Sequence, residues 1–381
     1  MNQNNKFTIG LIINPISGMG GTVGLKGTDG RSILKQAINL GATPRATNRT
    51  VDFLKGIESI KNKLLFVTCP GIMGEKVLKE MNFNYETIQD ILFEKCDTIL
   101  DTTPEYTKLA AKIMMNDKSI EIIIFVGGDG TARDIQSVIK KHKPCLGIPA
   151  GVKIYSSAFA LNPIDASNLL TQFLCDEIPL KESEVLDIDE EQYRVGQLVS
   201  KFYGYLLTPF NPDFSQFSKI GTPKSDLNNQ ERIANRIIEI LEDNVYYLLG
   251  PGTTVKSITD KLHQTKTLLG IDLLLNKKII SKDLNEQQIL EHVKAKKVKI
   301  ITSIIGRQGF IFGRGNLQLS PMVLKEVGCK NFIIVATRFK LQSIPNIILK
   351  LDTRDPKLDN KMKGLYRIII DYDEIKICEV R

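Results

Sequence analysis

The run Ile122-Ile123-Ile124-Phe125-Val126-Gly127-Gly128-Asp129-Gly130-Thr131 decides the fold of this chain. Its first five residues are all apolar, which predicts a strand, at 121–126, that is buried on both faces. The glycines predict a tight loop, and residues 132–140 are compatible with a helix. A buried strand followed by a glycine loop and a helix is typical of an open parallel sheet, in which ligands bind beyond the carboxyl ends of the strands.

The loop after this strand is suited to an anion, and phosphate is its natural ligand. Glycines lack a Cβ, so backbone N–H groups can approach anionic oxygens, and the N-terminus of the next helix adds partial positive charge. The predicted phosphate-binding residues are Gly127, Gly128, Gly130 and Thr131. Asp129 is the candidate catalytic residue, because a carboxylate here can accept a proton from an attacking hydroxyl or help to hold a Mg²⁺ ion that bridges phosphates. The alternative is that Asp129 only caps the helix.

A second glycine-rich segment, residues 14–30, follows a predicted strand at residues 7–13. It is not a Walker A loop, because no Gly-Lys pair in it is followed by Ser or Thr, and it misses the sixth position of the dinucleotide-binding fingerprint. So many glycines in one connection still favour binding over a simple turn. The candidate phosphate-binding residues here are Asn14, Ser17, Gly18, Gly20 and Gly21.

The first part of the chain alternates short apolar runs with helix-like stretches, which predicts a Rossmann-like α/β domain with a parallel sheet. Further strands are predicted at 63–68 and helices at 30–39 and 105–115. From about residue 155 the pattern changes to a mixed α/β, strand-rich second domain. We expect domains at 1–154 and 155–345, C-terminal strands at 346–381 packing back on the body, and the active site in the cleft between the two domains.

The bulk composition excludes several classes of protein. With 42% hydrophobic and 25% charged residues, the 381-residue chain has no signature of large-scale disorder. The net charge of +8 is spread along the chain, and its one dense basic run, at 294–299, is interpreted as the solvated end of a helix rather than a nucleic-acid site. No apolar run approaches the roughly 18 residues of a membrane span and no signal-peptide core follows Met1, so we expect a cytoplasmic protein with no membrane partner.

Taken together, the Gly-Gly-Asp-Gly-Thr loop and the upstream Asn14-Pro15-x-x-Gly18 resemble the superfamily that joins NAD kinases, diacylglycerol-type lipid kinases and, more distantly, phosphofructokinases. Three later segments resemble one branch, the predicted ATP-dependent NAD kinase-like proteins, which include the X protein associated with acetoin catabolism. These segments are Gly147-Ile148-Pro149-Ala150-Gly151-Val152-Lys153, Gly250-Pro251-Gly252-Thr253-Thr254 and Gly313-Arg314-Gly315-Asn316-Leu317-Gln318-Leu319-Ser320-Pro321. The resemblance covers nearly the whole chain.

The resemblance implies a kinase that uses ATP and Mg²⁺ and phosphorylates NAD or NADH, with Asp129 as the catalytic residue. The candidate substrate-binding residues in the later segments are Lys153, Gly252, Thr253, Thr254, Arg314 and Asn316. An acidic stretch, at residues 187 and 189–191, is a candidate for magnesium or a ribose hydroxyl, with a solvated turn as its alternative. Because members of the superfamily often associate, a homo-oligomer is among the expectations.

Departures from the family pattern leave the acceptor open. Pro149-Ala150 stands where ordinary NAD kinases have Asn-Thr, and the resemblance does not place the Asn-Glu pair that they use on the nicotinamide ribose. Two alternatives therefore stand beside NAD phosphorylation. One is a kinase for a different small-molecule alcohol, and the other is a non-catalytic nucleotide-binding sensor or accessory protein.

Overall fold

The computed structural model describes residues 6–21, 23–25, 31–90, 93, 98–151, 154–188, 200–211, 214–216, 226–306 and 308–381. The chain forms two compact units. Unit 1 comprises Met1–Met19 and Gly27–Ser218, and unit 2 comprises Gly20–Lys26 and Lys219–Arg381.

Unit 1 is built on a five-stranded parallel sheet, as the sequence predicts. Its strands are β1 (Phe7–Ile13), β2 (Leu64–Thr68), β3 (Tyr85–Thr87), β4 (Ile120–Gly127) and β5 (Cys145–Pro149), in the order β3-β2-β1-β4-β5. The order reverses between β1 and β4, and in open parallel sheets this reversal opens a ligand-binding crevice beyond the carboxyl ends of the two strands. The loops that the sequence singles out follow these two strands.

Helices cover both faces of this sheet. They are α1 (Arg31–Asn39), α2 (Ala46–Gly56), α3 (Glu75–Glu80), α4 (Pro104–Asn116), α5 (Asp129–Ile139) and α6 (Pro163–Leu174). Alternate residues of β4 enter different apolar clusters: Ile124 packs in a cluster with residues of α2 and α6, and Phe125 packs in another with residues of α4 and α5. This two-sided burial explains why the run in β4 is apolar throughout.

Residues beyond 154 continue unit 1, whereas the sequence places a domain boundary there. The reason is packing. Leu169 and Leu170 of α6 lie in the same apolar cluster as Phe53 of α2. An antiparallel ribbon of β6 (Leu180–Ile188) and β7 (Ser200–Pro209) follows, and Leu206 of β7 packs in the cluster of α4 and α5. The change of sequence texture at residue 155 therefore marks a change from parallel to antiparallel structure within one compact unit.

Unit 2 contains a separate mixed sheet of seven strands, in the order β10-β9-β8-β11-β13-β15-β16. Its elements in chain order are α7 (Leu227–Ile240), β8 (Tyr246–Leu249), α8 (Thr253–Lys261), β9 (Asp272–Leu275), β10 (Lys278–Ser281), α9 (Glu286–Val293), β11 (Val298–Ser303), β12 (Phe310–Phe312), α10 (Pro321–Val327), β13 (Phe332–Val335), α11 (Arg338–Gln342), β14 (Lys350–Leu351), α12 (Pro356–Lys361), β15 (Gly364–Ile369) and β16 (Ile375–Val380). Strands β8, β11, β13 and β15 are parallel to one another. The fold class predicted from the sequence, a Rossmann-like domain followed by a mixed, strand-rich α/β domain, is confirmed.

Among the residues that the structure describes, no helix combines the length and the apolar character needed to cross a membrane.

Candidate active site

Hydrogen bonds in unit 1 tie together the loops that follow β1, β4 and β5. The amide of Asn14 donates to the carbonyl of Val126 at 2.9 Å, and its side-chain Nδ2 donates to Thr131 Oγ1 at 2.9 Å. On the other side, the amide of Gly151 donates to the carbonyl of Gly127 at 3.1 Å. Asn14, Gly127 and Thr131 thus share one site, and Thr131 is buried beneath the loop with Asn14 as a partner.

Close backbone approach explains the glycines in this site. A Cβ on Gly151 would lie only 2.8 Å from the Cα of Gly128, a distance that real Cβ atoms essentially never show. A Cβ on Gly128 would lie 3.6 Å from the Oγ of Ser17, so the buried Ser17 hydroxyl lies beside this backbone. Gly18 has φ 79°, in the left-handed region that favours glycine. Side chains larger than hydrogen would separate the loops.

Asp129 is the first residue of α5, and the position that precedes it, the N-cap, is Gly128. The capping interpretation of Asp129 is therefore wrong. Its carboxylate instead accepts hydrogen bonds from the backbone amides of Tyr155 (Oδ2, 2.7 Å) and Ser156 (Oδ1, 3.0 Å). The residue is 5% exposed. Burial raises the pKa of Asp129 to about 7, although the hydroxyl and amide of Ser156 and the amide of Tyr155 act in the opposite direction.

Two ion pairs join α5 to neighbouring elements of unit 1, and one of them includes a carboxylate that acts on Asp129. Asp187 of β6 adds a negative charge that also raises the pKa of Asp129. Arg133, one turn along α5, binds Asp187 at 2.6 Å, while Lys108 of α4 lies 3.7 Å from Asp134. Asp187 was a sequence candidate for a magnesium or ribose ligand; here it pairs with an arginine, and the rest of that acidic stretch lies outside the described residues.

Several residues that complete this site carry no local sequence signal. Arg49 of α2 is buried, and its Nε donates to the carbonyl of Pro149 at 2.8 Å, at the end of β5. Ser156 Oγ donates to the carbonyl of Leu186 at 2.9 Å and accepts from its amide at 3.0 Å. The side chain of Gln216 donates hydrogen bonds to backbone carbonyls of residues 154 and 156. These contacts join positions far apart in the chain, which explains why no short motif predicts them.

Unit 2 contains a second strand, glycine loop and helix, formed by β8, residues 250–252 and α8. Gly250 packs closely, since a Cβ there would lie 2.9 Å from Thr302 Oγ1, and Gly252 has φ 106°. Thr253 is exposed and Thr254 is buried at the start of α8. The Nζ of Lys340 donates to Thr254 Oγ1 at 2.8 Å. This places a cation at the helix N-terminus, next to a glycine loop.

More polar side chains lie around Lys340. Its Nζ also lies 3.4 Å from Ser303 Oγ, at the end of β11. Asp226 precedes α7 and is buried. Burial raises the pKa of its carboxyl, against a hydrogen bond from Thr337 and the charge of Lys340. The sequence singles out Thr254 but gives no signal for the other four residues.

Arg314 and Asn316 have internal partners in unit 2. Arg314 is 4% exposed, its Nε lies 3.4 Å from Asp352 Oδ2, and its guanidinium lies over the ring of Phe310. Asn316 Oδ1 accepts from the amide of Gly313 at 2.9 Å, and its Nδ2 donates to the carbonyl of Ile311 at 2.8 Å. Both side chains stabilise the turn after β12 in this structure.

The remaining predicted residues are Gly20, Gly21, Gly130 and Lys153. Gly20 and Gly21 belong to unit 2 and form turns with their neighbours: Leu25 N donates to Gly20 O at 2.9 Å, and Gly24 N to Gly21 O at 3.4 Å. Gly130 follows Asp129 in the first turn of α5. Lys153 lies outside the described residues.

The described residues include no group of three or more His, Cys, Asp or Glu side chains that could hold a metal ion. Both oxygens of Asp129 accept amide hydrogen bonds. Within the described ranges the donor set therefore does not form a protein cage for Mg²⁺, an ion that commonly keeps its waters and binds through substrate phosphates with one or two carboxylates.

A parallel sheet with a glycine loop at its topological switch point defines an open α/β fold, a class in which ligands bind beyond the carboxyl ends of the strands. Comparison with family profiles gives the particular family. Residues 9–178 match the ATP-NAD kinase N-terminal domain, and residues 242–380 match the ATP-NAD kinase C-terminal domain. The chain therefore belongs to the NAD kinase-like family, as its motifs indicate. A search among curated proteins finds no match.

Proposed function

We propose that this chain is an ATP-dependent kinase that transfers a phosphoryl group to a hydroxyl of NAD or NADH, with Asp129 as the general base. The observation that carries the proposal is the carboxyl of Asp129, buried at the first turn of α5 with its pKa raised to about 7. A general base works best when its pKa lies near the working pH. The match to both NAD kinase domains supports an NAD-type acceptor.

The reaction needs a proton acceptor and binding sites for phosphate groups. As the acceptor oxygen forms its bond to the γ-phosphorus, the bond between that phosphorus and the β–γ bridging oxygen breaks, ADP leaves, and the hydroxyl proton passes to Asp129. Glycine loops with helix N-termini occur in both units, at Gly127–Gly128 and at Gly250–Gly252. Both ATP and NAD carry phosphates, so each loop has a substrate group that it can bind.

In this proposal Mg²⁺ binds together with the nucleotide. When bound to the phosphates of ATP, Mg²⁺ neutralises part of the charge that develops during phosphoryl transfer. The chain's own contribution is different. Asn14 and Thr131 hold the loops of β1 and β4 together, and Gly128 and Gly151 let the backbone approach closely. The amides of residues 155 and 156 orient the carboxylate.

The test is direct detection of the product. Purified protein is incubated with Mg²⁺, ATP and a mixture of NAD, NADH and small-molecule cell extract, and mass spectrometry searches for any species that gains one phosphate. We expect phosphorylated NAD or NADH. A gain on another alcohol would keep the chemistry and replace the acceptor, and it would agree with Pro149-Ala150 standing in place of Asn-Thr. No product with NAD or NADH under ATP, other nucleoside triphosphates or polyphosphate would overturn the NAD proposal.

A second candidate is a non-catalytic nucleotide sensor or accessory protein. The observation in its favour is that both oxygens of Asp129 already accept backbone hydrogen bonds, as a structural carboxylate would. This candidate predicts nucleotide binding without turnover. Calorimetry with ATP and with NAD would then give the same affinities for the wild type and Asp129→Asn, while the kinase proposal predicts turnover that the substitution removes.

A further inference from the structure

One peptide unit in unit 1 connects Asp129 to Gln216. The N–H of Tyr155 donates to Asp129 Oδ2 at 2.7 Å, and the carbonyl of the same peptide unit, that of Ile154, accepts from Gln216 Nε2 at 3.3 Å. Because a peptide unit is planar, its N–H and its C=O point in opposite directions. A donor on the carbonyl side therefore helps to fix the direction of the N–H that reaches the carboxylate.

Gln216 also holds the next part of the segment. Its Nε2 donates to the carbonyl of Ser156 at 2.9 Å, while the amide of Ser156 donates to Asp129 Oδ1 at 3.0 Å. Both amides that bind the carboxylate thus belong to a segment held by one glutamine side chain. In a buried setting, hydrogen bonds in a chain polarise and strengthen one another. Losing the glutamine amide should weaken both contacts to Asp129.

The glutamine itself is fixed in place. It is 1% exposed, and its backbone amide donates to the carbonyl of Phe159 at 2.8 Å. Ser215, the residue before it, forms an antiparallel bridge with Ala160. Gln216 lies between the two matched domains, which end at residue 178 and begin at residue 242. The family comparison therefore assigns it no role.

We infer that Gln216 is a positioning residue for Asp129, which it orients through the backbone of Ile154–Ser156 without touching the substrate. This inference rests on the proposed function, because it assumes that Asp129 accepts the proton. The charge that acts on Asp129 is that of Asp187 on β6, which pairs with Arg133 on α5, and a second ion pair joins Lys108 on α4 to Asp134 on α5. Gln216 is uncharged, so replacing it leaves these charges in place.

The experiment measures kcat and KM against pH for the wild type and Gln216→Met, which keeps the side-chain length but removes the donor. We expect kcat to fall roughly tenfold, the factor expected for about one lost hydrogen bond, with KM little changed. The acidic limb of the profile should move to higher pH, because weaker amide contacts stabilise the carboxylate less. Circular dichroism and thermal melting confirm folding.

Gln172→Met is the matched control. Gln172 Oε1 accepts from Asn211 Nδ2 at 3.0 Å in the same unit, and none of its hydrogen bonds reaches residues 154–156. The Gln172→Met substitution should leave the acidic limb of the pH profile at its wild-type position. If Gln216→Met does not fold, Gln216→Asn takes its place, since it keeps an amide but is too short to reach both carbonyls, and it should move the limb in the same direction.

The outcomes separate the inference from the proposed function. A limb that stays at the wild-type pH in Gln216→Met, with Asp129→Asn inactive, overturns the positioning role and leaves the kinase proposal standing. Full activity in Asp129→Asn removes the general-base assignment and the inference with it. A shift in Gln172→Met as large as that in Gln216→Met would also overturn the inference, because it would show a general effect of lost packing.

Discussion

The two glycine loops of this chain share a local pattern but surround different chemical groups. In unit 1, β4 leads through Gly127 and Gly128 into α5, and the first residue of that helix is the buried acid Asp129. In unit 2, β8 leads through Gly250 and Gly252 into α8, and the charged group at the helix start is the cation Lys340. One loop is associated with an acid of raised pKa, the other with an amine.

This difference shows how much of a site a loop pattern determines. Glycines and a helix N-terminus provide N–H donors in both places, so both loops favour an anion. The charged side chain beside each loop decides whether the loop can also accept a proton or only bind the anion. An acid with a pKa of about 7 can accept a proton, whereas a lysine can neutralise phosphate but takes no proton from a substrate hydroxyl at neutral pH. We therefore expect chemistry at the loop of unit 1 and binding at the loop of unit 2.

The largest effect is expected for Asp129→Asn. Turnover should fall by at least ~100-fold, the lower range for losing a general base. The amide Nδ2 of the new side chain would face a backbone N–H, so a moderate loss of stability is expected too. The measurement is steady-state turnover together with a thermal melt. If a folded variant keeps turnover within a few-fold of the wild type, the chemistry does not take place at the loop of unit 1 through Asp129.

The second-largest effect is expected for Arg314→Met. This substitution tests whether Lys340 or Arg314 is the cation that binds phosphate in unit 2. The substitution removes the arginine from a buried ion pair with Asp352, so the free energy of unfolding should drop by about 3–5 kcal/mol. Denaturant unfolding measures this, with the exposed Arg381→Met as control. An unchanged stability with a raised KM would instead support the phosphate-binding role that the sequence predicts for Arg314.

A smaller effect is expected for Lys340→Met. Removing one charge-assisted contact to a phosphate should raise KM for one substrate about tenfold, with kcat changed less. The exposed Lys325→Met serves as control, because Lys325 pairs with Asp355 at the surface. Initial rates over a range of ATP and acceptor concentrations identify which KM responds. If neither KM changes, the loop of unit 2 does not bind phosphate through Lys340.

The smallest expected effect is the change in kcat and in stability of the wild type with pH. Because the base must be deprotonated, kcat should rise as pH increases through about 7. Stability should change in the opposite sense. With a folded pKa above the ordinary 3.8, protonated Asp129 contributes stability that is fully present below about pH 4 and lost as pH rises through about 7. To measure this contribution, the free energy of unfolding is determined at several pH values for the wild type and for Asp129→Asn, and the second value is subtracted from the first. A difference that grows with pH would contradict the raised pKa.

Part of the site was predictable because its signals are local. The strand at residues 7–13, the buried strand before Gly127 and the glycine loops are all visible as short patterns of apolar residues and glycines. The domain boundary expected after residue 154 was also inferred from local texture, and there the structure differs. The packing of α6 on α2 joins residues 53 and 169, a relation that no local pattern carries.

The partners of each functional side chain lie far away in the chain. Asp129 is 26 residues from Tyr155, Gln216 is 60 residues from Ser156, and Lys340 is 86 residues from Thr254. Contacts at such separations depend on how strands and helices pack, so the sequence predicts the chemical group but not its surroundings. The pKa of Asp129 is an example, since burial raises it and burial is a property of the folded unit.

The sequence by itself determined the α/β class and the family, and it located the glycine loops and the carboxylate that we propose as the general base, because hydrophobic periodicity and glycine conformation act over a few residues. Tertiary structure alone decided that Asp129 binds two backbone amides instead of capping its helix, that Lys340 lies beside the second loop, and that Arg314 and Asn316 have internal partners. These outcomes depend on desolvation and on the convergence of distant segments, and both arise only when the chain packs.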